Sequence, residues 1–100
     1  MPVDALVDTG ATYLSVPRPL LESLSVRPLE SRPFSLADGR TVEYDVGIVP
    51  LKIDGRTLPV LCVFAGTGSQ ALLGAVALET FGLGVDPVGR RLIPVPGLLM

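Results

Sequence analysis

One hundred residues, 48% hydrophobic and 18% charged, make one domain with one modest core and leave apolar surface that so small a chain covers poorly. A formal net charge of −2, with eight basic residues scattered along the chain, excludes nucleic acid and a polybasic membrane contact. The chain has no histidine and Cys62 is its lone cysteine, which excludes an internal disulfide, a histidine-assisted nucleophile and a histidine-built zinc site.

The start, MPVDALVDTG, carries no basic segment followed by an apolar run, and no stretch reaches membrane-spanning length. With a reduced cysteine, a cytoplasmic protein without membrane contact is expected. Residues 3–7 form a short apolar run that predicts a buried strand presenting Asp8 at its end. YLSVP predicts a second strand, stopped at Pro17. Pro17 and Pro19 suit a first helical turn, and Leu20, Leu21 and Leu24 share a face, so a short helix is expected over 18–25.

Residues 32–66 alternate β-branched and apolar runs with Asp38-Gly39 and Asp54-Gly55, each a hairpin signal. The string DGRT occurs at both places with different flanks, which reads as two hairpin tips rather than a repeat. GTGSQ is a loop that lacks the lysine of a phosphate-binding loop. ALLG ends another buried strand, and AVALETFGLG predicts a second short helix closed by glycine. In the tail RRLIPVPGLLM the prolines confine pairing to an edge.

Asp8 carries the chemistry. A carboxylate at the end of an apolar strand must be hydrogen-bonded or share its charge with a partner. Thr9 offers a hydroxyl to lock the turn, and Gly10 lets backbone or ligand approach closely. Two such carboxylates face to face share a proton, and the pair activates a water: one accepts its proton while the other polarises a peptide carbonyl.

LVDTGAT followed far downstream by ALLGAVAL resembles the retropepsin-like aspartic proteases, the single-domain relatives of pepsin. The resemblance runs nearly the whole length and implies an all-β, closed-barrel acid-protease fold over 1–100, with a flap hairpin and one or two short helices. It implies that Asp8 is the catalytic carboxylate, one per subunit, so the active dyad exists in a homodimer. Thr9 would hold the two loops in register across subunits and Gly10 would lie where substrate backbone passes. Ala11 stands where pepsin-like sites have serine. Leu72, Leu73 and Gly74 would form the second signature, with Leu72 walling a subsite, and Ala37, Asp38, Gly39 and Arg40 would form the flap tip. No cofactor and no metal are implied; the partners are a second copy and a peptide or protein substrate.

Three departures from the retroviral pattern stand out. Thr12 and Ala75 replace an acidic residue and an arginine that pair in many retroviral members. The tip is polar, without the retroviral glycine cluster. Only seven residues precede Asp8, so the strand that usually comes before it is expected to be missing. An aspartic endopeptidase is the first expectation; the alternative is a non-catalytic dimerisation or peptide-binding module of the same fold. Cys62 reads as a buried small hydrophobe, and Asp4, Asp45, Asp54 and Asp86 as turn or surface groups rather than metal ligands.

Overall fold

The computed structural model describes residues 3–97. The first half supplies β1 (Ala5–Val7), β2 (Leu14–Pro17), α1 (Arg18–Ser23), β3 (Glu30–Ser35) and β4 (Thr41–Ile53). The second supplies β5 (Arg56–Ala65), β6 (Ala71–Leu73), α2 (Ala75–Thr80), β7 (Leu83–Asp86) and β8 (Arg91–Pro94).

Local chemistry accounts for most boundaries. In β2, Leu14 and Val16 are buried while Ser15 and Pro17 are half-buried, the alternation of a strand with one face on a core. Pro17 then caps α1 and a further proline sits in its first turn, where a missing N–H breaks no helical bond. The helix ends two residues short of the expected 25, because Ser25 turns to a φ of 61° and the Val26 N–H bonds back to the Leu21 carbonyl at 3.0 Å. Between β4 and β5, Asp54 and Gly55 take φ values of 50° and 80°, and Ile53 pairs directly with Arg56. Two positive-φ residues in a two-residue loop match the right-handed twist of the strands they join.

Six strands form one sheet in the order β1-β6-β2-β5-β4-β3, and β7 and β8 form a separate two-stranded ribbon. Among the described residues the two ends of this order, β1 and β3, do not pair. β1 runs parallel to β6, and β2 runs parallel to β5 while pairing antiparallel with β6. This crossover brings residues 5–7 and 71–73 side by side, which positions Asp8. The core gathers Leu14, Val16, Leu21, Val60, Phe64, Leu73, Leu78 and Phe81. Cys62 is fully buried within it, as expected, and burial pushes its thiol up to about 12. A thiol so far from ionisation is inert as a nucleophile.

The mostly β architecture with a projecting hairpin and two short helices is as expected. β1 departs from expectation: it was read as buried, and all three of its residues are exposed, with Leu6 at 50%. The apolar run does form a strand, but at the sheet edge, with one partner and no layer over its faces. Beside it opens an apolar groove of about 830 Å³, walled in part by Val3, Ala5, Leu14, Leu24, Val49 and Leu73. No helix among the described residues is long and apolar enough to cross a membrane.

Candidate active site

The loop after β1 is fixed almost entirely through backbone. The Asp8 N–H donates to the Leu73 carbonyl at 3.0 Å, which continues the β1–β6 ladder by one residue. The Ala11 N–H returns to the Asp8 carbonyl at 3.0 Å, closing a tight turn. Inside that turn the Gly10 N–H donates to Asp8 Oδ1 at 2.9 Å. One oxygen of the half-buried carboxylate is therefore held in place by the loop itself.

The far side of the loop is gripped by α2. The first N–H groups of a helix have no partner within it; here Ala75 and Val76 donate to the Ala11 and Thr12 carbonyls, both at 2.8 Å. Gly74 makes this contact possible. A Cβ there would lie 2.6 Å from the Tyr13 carbonyl oxygen and 2.7 Å from that of Ala11, so any side chain would push the loop off the helix. The two signatures, residues 8–11 and 72–74, thus lock into one unit.

Of the expected site residues, Asp8 and Ala11 are half-buried while Thr9 and Gly10 are exposed. Leu72 is half-buried, paired with Leu6 and Ser15. Leu73 has its side chain in the core and serves the loop through its carbonyl. Ala37, Asp38 and Gly39 lie exposed at the tip of the β3–β4 hairpin. That tip closes with Leu36 N–H to Arg40 carbonyl and Gly39 N–H to Leu36 carbonyl, at 2.7 and 2.9 Å. Asp38 accepts from the Arg40 backbone N–H and from its side chain, which hold its carboxyl below the usual range.

Sequence reasoning passed over Tyr13, Phe34, Arg18 and Ser31, which meet along this hairpin. Tyr13, leaving the loop, packs edge-on against Phe34 of β3 with ring centres 6.0 Å apart, and Phe34 packs similarly on Tyr44 of β4 at 5.9 Å. Asp45, expected to be a turn or surface group, instead accepts from Arg18 and from the Ser31 hydroxyl. The Ser31 and Arg18 hydrogen bonds, in that order, hold its carboxyl below the usual range. Alternation along β3 and β4 could have flagged which face Phe34 and Tyr44 share; nothing local signals a pair 27 residues apart. Among the described residues no three potential ligand side chains gather to hold a metal ion.

An aspartate on a strand-end loop, locked against a hydrophobic-hydrophobic-glycine strand and its helix in a small β-rich fold, defines the retropepsin-like class. The family described as gag-polyprotein putative aspartyl protease matches residues 1–80, and the chain belongs to that family. A solution structure of simian foamy virus (mac) protease is similar in fold, with a TM-score of 0.59 and 24% identity over 79% of this chain and 82% of that one. A search of the curated proteins found no match.

Proposed function

We propose that the chain is an aspartic endopeptidase, with Asp8 and the Asp8 of a second copy forming the dyad at a homodimer interface. The observation that carries this reading is the locked loop: Asp8 is held by Leu73, Gly10 and the start of α2 while its carboxylate stays accessible. A structural carboxylate is usually consumed by its own hydrogen bonds, whereas this one accepts from a single backbone N–H among the described residues. The exposed apolar residues Leu6 and Val7, directly before Asp8, supply a surface suited to a second copy.

In the dyad one proton is shared, because two carboxylates at short range do not both ionise. The ionised member takes a proton from a water whose oxygen attacks the peptide carbonyl carbon. The protonated member gives its proton to the carbonyl oxygen. Collapse of the tetrahedral diol breaks the C–N bond as a proton passes to the leaving nitrogen, and the dyad is restored. Gly10, beside the carboxylate, leaves room for substrate backbone, Leu72 walls a subsite, and the β3–β4 hairpin covers the peptide and excludes water.

Casein or a peptide library, incubated with the purified chain across about pH 4 to 7 beside an Asp8→Asn control, tests the reading. Cleavage absent from the control supports it. A folded dimer that binds peptides without cutting them would establish the non-catalytic module instead.

A further inference from the structure

The β3–β4 hairpin is an arm with a defined root. β4 pairs with β5 from Val46 onward, whereas residues 30–45 pair across the hairpin alone. The boundary falls at Asp45, and the arm is held on one face at this root and on the other face farther out, toward its tip. On one face Asp45 accepts from Arg18, at the start of α1, and from Ser31 across the hairpin at 2.6 Å. The Arg18 guanidinium also lies over the Phe64 ring, 4.9 Å from its centre, which ties the ion pair to a fully buried core residue. On the other face, Phe34 and Tyr44 pack in series against Tyr13, three residues after Gly10 in the candidate active-site loop.

An isolated exposed ion pair contributes little. This one differs in three respects: both partners are partly buried, the carboxylate takes two donors, and the arginine is stacked as well as paired. Next to it is a polar cavity of about 300 Å³ bordered by Arg18, Glu43, Tyr44, Asp45, Phe64 and Thr67.

We infer that Arg18, Asp45 and Ser31 form a latch at the root of the arm, positioning it over the site and setting how readily it opens. The three residues are positioning residues: they act on substrate through the arm. The inference deepens the protease reading, because closing the arm over a peptide is what the latch would govern. The latch itself is measurable whether or not the chain cleaves peptides.

The test is hydrogen exchange of the full chain, comparing Asp45→Asn, Arg18→Met and the double variant with the wild type. Arg18→Met keeps an apolar stem over Phe64 while removing the charge. Amides of 31–45 are expected to exchange about threefold to tenfold faster in each single variant, with the double no faster than either single. Amides of β5 and α2 should be unchanged. In a cleavage assay the same variants should raise KM more than they lower kcat, because a loosened arm weakens substrate retention. Unchanged exchange in 31–45, acceleration spread equally over β5 and α2, or effects that add in the double variant would each overturn the latch. Absence of cleavage together with arm-specific exchange would overturn the protease reading and leave the latch standing.

Discussion

The long inner pair of the main sheet and its β1 edge are built on different principles. Inside the sheet β4 and β5, of 13 and 10 residues, pair over eight registered positions and bury Val46, Val49, Val60, Cys62 and Phe64. At the edge β1 and its neighbour β6 are three residues each, β1 is exposed throughout, and the apolar groove opens alongside. The inner pair is stabilised by burial, at roughly 25 cal/mol per Å² of apolar surface. The edge, which carries Asp8, is held by backbone hydrogen bonds and by close approach at Gly74. A loop fixed in this way keeps its carboxylate accessible while its geometry stays determined.

Three substitutions probe the edge. Asp8→Asn, the largest effect, is expected to reduce peptide cleavage by at least about a thousandfold with little change in thermal unfolding, since the carboxylate stabilises no part of the core. Gly74→Ala forces the 11–13 backbone off α2, so unfolding stability should fall by about 2–3 kcal/mol and cleavage should fall with it. Denaturant titration checks the first effect and a peptide assay the second. Leu6→Lys places a charge on the exposed edge of β1; sedimentation should show dimer dissociation at least about tenfold weaker in affinity, with the monomer still folded.

The two DGRT strings supply the finest comparison. Gly55 sits in the two-residue turn that joins β4 to β5, so Gly55→Ala is expected to lower stability by about 1 kcal/mol, read as a drop of several degrees in Tm. Gly39 has a similar positive φ of 88° but lies at the arm tip, so Gly39→Ala should leave Tm nearly unchanged and appear in KM.

A pH effect follows from the latch. Asp45 titrates below its unfolded value, so its contribution is fully present above about pH 4 and is lost as pH falls through the lower folded value. Glu43 borders the same cavity as Asp45 and Arg18. An NMR titration should place the Asp45 midpoint below that of an ordinary aspartate, and Arg18→Met should move it upward. An unshifted midpoint in the wild type would count against the latch geometry.

Much of this was legible in the sequence because it is local. Asp-Gly pairs marked both hairpin tips, prolines marked the start of α1, and the Asp-Thr-Gly and Leu-Leu-Gly stretches marked the two halves of the site. What was illegible depends on what lies across space. The apolar run before Asp8 looks the same whether or not a layer covers it, so β1 was expected to be buried and proved exposed. Asp45 carries no local sign that Arg18 will reach it, because the crossover that puts β2 beside β5 creates the meeting. Tyr13 likewise meets Phe34 only across space, whereas Phe34 and Tyr44 meet within their own hairpin.

The central claim is that each active site needs Asp8 from two copies. The most direct measurement mixes wild type with Asp8→Asn at fixed total concentration, after exchange of subunits, and follows the cleavage rate against the wild-type fraction. The account predicts a fall with the square of that fraction, to about a quarter at an equal mixture, because only dimers with two intact aspartates cut. A rate that falls in direct proportion to the wild-type fraction would show that one Asp8 suffices and would contradict it.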